Sequence, residues 1–324
     1  VIGINNILKS LADKATGRIL SKVDLCIAHE FHKPPYGGGN QFCLALSAEL
    51  ERRGYRVSKG LSPATAKACL FNSYNFDESR LLRLRGQFTR LVHRVDGPID
   101  VYRGNSKMEI DKKIQELNAL LADNTVFQSN YSYIKHKELG LEFVQPIIIQ
   151  NAVDPAFFHS NGRISWDLGR KTRLITVNWS DNPNKGGVVL QRMELMLDWG
   201  KYEWIHLGRT KCTFKHIKVV PPVGSEQVAE YLRTSDIMVT ASLYESCSNV
   251  ILEALACGLP VAYVCSGSNG ELVQKAGCGF STPEEGLECL HAIRENWPEY
   301  FKRIRYPSLD EITSRYEEVL FAEK

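Results

Sequence analysis

The chain has 324 residues, 44% hydrophobic, 24% charged and 10% aromatic, with 40 Lys and Arg against 37 Asp and Glu. This composition excludes disordered, collagen-like and coiled-coil chains, and the length suits two domains at roughly 100–200 residues each. A net charge of +3 is too weak a field for a nucleic-acid binder, and no run of about 18 apolar residues could cross a membrane as a helix.

At the start, Ile4, Ile7, Leu8, Leu11, Ala15 and Ile19 recur at helical spacing, with Lys9, Lys14, Arg18 and Lys22 on the other face. Val1–Lys22 lacks the compact apolar core of a secretory leader. Such a helix either lies in a membrane interface or docks on the protein body, and the lack of aromatic residues on its apolar face favours docking. Strands are then expected at Leu25–Ala28, Ala68–Phe71, Leu91–Val95, Thr125–Gln128 and Val144–Ile149, with helices at Gly39–Arg53, Glu78–Phe88, Ile110–Leu121 and Tyr131–Leu139. Gly54 supplies the stop for the first helix. Asn151–Gly169, rich in Asn, Asp, Pro and Gly, reads as an interdomain linker.

The alternation then restarts. Strands are expected at Arg173–Val177, Tyr202–Leu207, Ile237–Thr240 and Pro260–Val264, and helices at Gly187–Leu197, Ser225–Thr234, Asn249–Cys257, Glu284–Asn296 and Ser308–Ala322. Short apolar strands alternating with helices imply parallel sheets covered on both faces. The expected fold is therefore α/β, with two Rossmann-like doubly wound domains, 1–160 and 161–324, and the last helix free to pack back on the first domain. Ligands bind such sheets at the carboxyl ends of their strands, here in the cleft between the domains.

Residues 1–160 carry 21 basic and 16 acidic groups, and residues 161–324 carry 19 and 21. The first-half excess suits an anionic acceptor or membrane surface, or is solvated surface. Arg80, Arg83, Arg85, Arg90 and Arg94 crowd one stretch and read best as a solvated helix face. Nine cysteines, most in apolar runs and none in a Cys-x-x-Cys pair, read as reduced buried thiols in a cytosolic compartment. The same spacing argues against a metal cluster.

The densest chemistry lies in Ile237–Val273. A strand runs into a loop that ends at Ser248 or Asn249, both good helix caps. Glu245 falls in the loop and Glu253 one turn into the helix, eight positions later. On one helix these would stand about 80° apart, so both can face a ligand at the helix start. Free N–H groups there suit a phosphate, and the carboxylates suit ribose and sugar hydroxyls. The arrangement fits a sugar nucleotide, whereas either acid alone would read as a solvated helix residue.

The string ESCSNVILEALACGLPV resembles the E-x7-E signature of glycosyltransferase family four, which has the GT-B fold. YGGGNQFCLALSAELERRGYRV resembles that family's first glycine loop and helix, NAVDPAFF its domain junction, PNKGG its basic phosphate loop and LVHRVDGP its first-domain His loop. The resemblance implies that Glu253 binds the donor ribose and that Glu245 touches the transferred sugar. Backbone N–H groups of Ser248 and Asn249, with Lys185, would hold the diphosphate. Gly37, Gly38 and Gly39 would admit the donor close to the backbone. His93 would reach the donor sugar, although at a strand end its residue reading is equally structural.

The chain departs from the pattern at Ser180, where many members carry an Arg; Arg209 is the candidate replacement for that cation, otherwise a surface residue. The implied activity is retaining transfer of a sugar from a UDP- or GDP-type donor to a glycan or lipid-linked glycan. Lys185, the Ser248–Asn249 helix end and either Arg209 or Arg94 would meet the leaving charge. Asp96 reads as a turn residue rather than a base. No Asp-x-Asp occurs, so neither a metal nor another cofactor is expected. The alternatives are a nucleotide-sugar epimerase of the same fold and a non-catalytic sugar-nucleotide binder; the glycine spacing disfavours a nicotinamide dehydrogenase. The expected location is cytoplasmic, with peripheral contact at the membrane face.

Overall fold

The computed structural model describes residues 23–33, 37–61, 66–103 and 107–322; the amphipathic stretch expected over residues 4–19 lies outside them. The first sheet contains β1 (Val23–Ala28), β2 (Val57–Lys59), β3 (Ala66–Asn72), β4 (Phe88–Val95), β5 (Asn124–Phe127) and β6 (Pro146–Ile148). Their order is β2-β1-β3-β4-β5-β6, every pair parallel. Five helices connect them: α1 (Gly38–Arg52), α2 (Glu78–Leu84), α3 (Ile99–Arg103), α4 (Met108–Leu121) and α5 (Asn130–Glu138).

The second sheet contains β7 (Thr172–Asn178), β8 (Tyr202–Gly208), β9 (Lys218–Val220), β10 (Ile237–Thr240), β11 (Val261–Val264) and β12 (Gly277–Phe280), ordered β12-β11-β10-β7-β8-β9 and again all parallel. Around it lie α6 (Gly187–Met196), α7 (Ser225–Arg233), α8 (Asn249–Ala256), α9 (Asn269–Val273), α10 (Pro283–Glu295), α11 (Trp297–Lys302) and α12 (Leu309–Phe321). Each sheet reverses its winding direction once, between β1 and β3 and between β7 and β10. A crevice opens outside the strand ends at such reversals.

Side-chain alternation builds both layers of core. Leu25 and Ile27 of β1 pack with Phe42, Leu46 and Leu50 of α1, while Cys26 and Ala28 face Leu81 of α2 and Leu117 and Leu121 of α4. In the second domain, Ile175 and Met238 pack on α7 and α8, while Leu174, Ile237 and Val239 pack on α6 and α10.

The last helix returns to the first domain. Leu309, Ile312, Tyr316 and Leu320 join the α1 side of that core, and the Tyr316 ring lies 5.7 Å from Phe42. Arg53, just past α1, donates to Ser314 Oγ at 3.0 Å and to Asp310 Oδ1 at 2.6 Å and also pairs with Glu317. Ser308 and Glu311 form a reciprocal capping box at the start of α12.

Some boundaries differ from the sequence reading. The helix expected over Glu78–Phe88 stops at Leu84; a 3₁₀ turn over Arg85–Gln87 follows, and Phe88 already belongs to β4, where it is buried. Three short strands, β2, β9 and β12, were not anticipated, because three or four residues carry no readable period. Cys278 and Cys289 form a disulfide across β12 and α10, with Cα atoms 5.4 Å apart, and Cys265 is exposed. The expectation of uniformly reduced, buried thiols is corrected at these positions. A pair made by packing a helix over an edge strand leaves no motif in the sequence.

Truncating Tyr316 to Ala should cost on the order of 3–5 kcal/mol, as for other buried aromatic residues. A urea midpoint close to that of the parent chain would show that α12 contributes little to the first domain.

Candidate active site

A buried cation sits where the two domains meet. Arg94 of β4 is 1% exposed. Its Nη1 donates to Asn72 Oδ1 at 2.5 Å and Asp96 Oδ1 at 2.9 Å, and its Nη2 donates to Asn151 Oδ1 at 2.8 Å. Burial disfavours the charge, but Asp96 and the neighbouring Tyr316, Cys43 and Cys247 together outweigh it and hold the pKa above the ordinary value. Asn151 Nδ2 then donates to Asn249 Oδ1 at 2.8 Å, and Asn249 Nδ2 donates to the Gly38 carbonyl at 2.9 Å. One polar chain thus runs from the first sheet through the linker to the first residue of α8 and back to the start of α1.

The loop between β10 and α8 is fixed from two sides. Leu243 N donates to the Asn184 carbonyl at 2.7 Å. On the other side Ser268 N donates to the Glu245 carbonyl at 2.9 Å, and Asn269 Nδ2 donates to the Ser242 carbonyl at 3.0 Å. Two glycines make this packing possible. Gly186 has φ +71°, and a Cβ there would lie 2.2 Å from the Ala241 carbonyl oxygen; Gly267 has φ +62°, and a Cβ would lie 2.6 Å from the main chain of Glu245. The result brings Lys185 Nζ to 2.5 Å from Glu245 Oε1. Burial works against the Lys185 ammonium, but Glu245 and then Tyr102 outweigh it and hold its pKa above the ordinary value.

An apolar slot, open to solvent, runs between the domains. Its walls include Val177, Trp179, Leu207, Val223 and Val250 from the second domain, with Gly37 and Gly38 from the first. Glu253 is the acidic group on the wall, and burial pushes its carboxyl up to about 7. α8, whose Asn249, Val250 and Glu253 line the slot, begins with Ser248 as N-cap, whose side chain makes no capping bond. The main-chain N–H groups of Asn249 and Val250 close no helical bond, as in any first turn. Arg209 is stacked 4.5 Å over Trp179 and shares a second depression with Ser180 and Lys185.

The structure thus brings together Gly37, Gly38, Lys185, Arg209, Glu245, Ser248, Asn249 and Glu253. Gly39 lies one residue into α1, nearest Arg94 and Asn72 rather than on the slot wall. The Asn249 side chain is engaged in the domain contact, so only its main chain is open to a ligand.

His93 is elsewhere. It is fully buried in β4; its Nε2 donates to the Ser73 carbonyl at 2.9 Å, its Nδ1 accepts from Asn118 Nδ2 at 3.1 Å, and its ring stacks 4.2 Å from Phe71. Burial lowers its pKa to about 3. The expectation that His93 reaches a donor sugar is corrected: both nitrogens are engaged inside the first domain. Arg94 likewise cannot meet a leaving group, because its guanidinium is enclosed by Asn72, Asp96 and Asn151. Arg90 is held by Asn124 and the Ala322 carbonyl, which leaves Arg80, Arg83 and Arg85 as the exposed arginines of that stretch.

Sequence reasoning missed Asn151, read as linker, and Tyr102. The carbonyl of Tyr102 accepts from the Asn184 side chain. Among the described residues no cluster of His, Cys, Asp and Glu is arranged to hold a metal ion, and no helix is long and apolar enough to cross a membrane.

Residues 199–295 match the family described as Glycosyl transferases group 1. That match covers less than a third of the chain. No curated protein matches it by sequence. Several solved structures share the fold. A sucrose-phosphate synthase from Thermosynechococcus elongatus superimposes with a TM-score of 0.68 at 13% identity, covering 92% of this chain and 98% of that one. WaaG, a glycosyltransferase involved in lipopolysaccharide biosynthesis, gives 0.67 at 13% identity, covering 93% and 100%. Anabaena HepE in complex with UDP and glucose gives 0.66 at 14% identity, covering 92% and 98%. These likenesses establish the GT-B fold.

The Glu253 environment predicts a pH effect. Its folded pKa, about 7, is above the ordinary 4.5, so the folded state holds the proton more tightly. That advantage is complete below the unfolded pKa and disappears as pH rises through the folded one. Stability of the parent chain relative to Glu253→Gln should therefore fall between pH 4.5 and about 7 and then level off. Parallel melting-temperature profiles for the two proteins over that window would refute the shift.

Proposed function

We propose that the chain moves a sugar from a nucleoside-diphosphate sugar of UDP or GDP type to a hydroxyl of a glycan or lipid-linked glycan, with retention and without a metal. The observation that carries this reading is the apolar slot with Glu253 and the first residues of α8 on its wall. The slot suits a nucleobase, Glu253 a ribose diol, and the free first-turn N–H groups of α8 a diphosphate. HepE, a similar fold, is in complex with UDP and glucose, which supports a uridine donor in the corresponding place.

As the anomeric bond breaks, negative charge grows on the diphosphate. Lys185, the α8 N–H groups and Arg209 are placed to meet it, which is stabilisation aimed at the leaving group. With these groups no divalent cation is needed at that step. Glu245 bonded to Lys185 is a poor nucleophile, which favours attack on the same face by the acceptor hydroxyl over a covalent sugar–enzyme intermediate. The acceptor enters from the first-domain side, past the strand ends of β1 and β4, and contact with a membrane face would bring a lipid-linked acceptor there.

Binding of UDP, GDP, ADP and CMP in EDTA tests the donor site. One nucleoside diphosphate should raise the melting temperature, by about 2.7 kcal/mol of stabilisation at 100 times its dissociation constant, and Glu253→Ala should abolish the shift. Labelled donor sugars then separate the classes: transferred or hydrolysed sugar identifies a transferase, an isomerised nucleotide sugar an epimerase. No shift with any of the four nucleotides would overturn the donor-site reading.

A further inference from the structure

We propose that His29, on the first domain, is a binding residue whose Nε2–H donates to a sugar hydroxyl in the cleft. The inference rests on the donor-site reading above. His29 follows the last residue of β1, at the reversal between β1 and β3 where a crevice opens. Its Nδ1 lies 3.4 Å from Asn72 Nδ2. The Asn72 oxygen already accepts from Arg94 Nη1, so the amide turns its nitrogen to the ring and Nδ1 must accept. The imidazole proton therefore sits on Nε2. Burial, and after it the Arg94 charge, hold the ring's pKa below the ordinary value, which keeps the imidazole neutral. Nε2 is shielded from water and has no hydrogen-bond partner.

A shielded N–H without a partner is costly and uncommon in a folded protein, and a ligand that accepts from it removes that cost. The ring is half-buried, so a small tilt brings the N–H to the cleft. A hydrogen-bond acceptor stands close by. Asp96 shares Arg94 Nη1 with Asn72, its Oδ2 accepts from Ser73 Oγ at 3.3 Å, and its side chain is 35% exposed. An ionised carboxylate has about four lone-pair positions, of which these bonds use two. A sugar hydroxyl both accepts and donates, so one hydroxyl can take the His29 N–H and donate to Asp96. The cluster borders the site on two sides. A Cβ on Gly39 would stand 3.8 Å from both Arg94 and Asn72, beside Gly38 of the slot wall, and one on Gly97 would stand 3.0 Å from Ser246, the residue after Glu245.

The test follows the full chain with isotope-labelled histidine by NMR, the His29 ring signal being assigned by its loss in His29→Phe. The free protein should show the Nε2–H tautomer. The ring is then followed with UDP and UDP-glucose, with GDP and GDP-mannose, and with glucose, galactose and mannose added over saturating diphosphate. A shift between a diphosphate and its sugar nucleotide assigns the hydroxyl to the transferred sugar; a shift only with a free hexose assigns it to the acceptor. Calorimetric affinity for that sugar should fall about fivefold in His29→Phe, the weight of an uncharged hydrogen bond, with diphosphate affinity unchanged. His29→Gln, which keeps an N–H at similar reach, should recover most of the loss. An Nδ1–H tautomer, a ring unmoved by every sugar, or an equal loss of diphosphate and sugar binding in His29→Phe would each overturn the proposal. A wild-type chain that binds none of these nucleotides would remove the donor-site reading itself, whereas binding with an unmoved His29 removes this inference alone.

Discussion

The arrangement of the cleft depends on one buried charge. A guanidinium taken out of water is tolerable only when its donors are met, and Arg94 meets Asn72 and Asp96 on its own domain and Asn151 on the linker. Asn151 is thereby fixed, and with it Asn249, the first residue of α8. The helix that carries Glu253 and presents its N–H groups to the cleft is thus registered against the first domain through a cation that touches no ligand. Glu271 adds a second link, accepting from the main-chain and side-chain nitrogens of Asn130 at the start of α5.

The Lys185–Glu245 pair shapes the electrostatics of the site. Side by side at 2.5 Å, the two charges nearly cancel at a distance. The α8 N-terminus and the exposed Arg209 supply the remaining positive potential. Ser180 and Arg209 line the same depression, where Arg209, on the loop after β8, is stacked on Trp179.

The parts legible in the sequence were those carried by local pattern. Strand alternation and helix period located the long elements, and the cap at Ser248 placed Glu245 and Glu253 on the correct sides of a helix start. Gly186 followed from the PNKGG string. Features made by tertiary packing were not legible. His93 and Arg94 are neighbours in one strand, and only the sheet's facing decides that one fills the interior and the other joins the domains. Asn151 looks like any linker asparagine until Arg94 and Asn249 lie on either side of it. The Cys278–Cys289 pair and the three-residue edge strands have no periodicity at all. Tyr102 sits in a five-residue helix held at its start by the distant Asp111.

The return of α12 to the first domain has a consequence for synthesis. That domain's core is assembled from two distant stretches of chain, with the whole second domain made between them. While the ribosome is still producing β7 to β12, the face of α1 that will receive Tyr316 and Leu320 stands uncovered. Since domains generally fold as units during synthesis, the second domain can mature before the first one closes. The nascent protein would then carry a finished second domain beside a first domain that waits for the turns of α12.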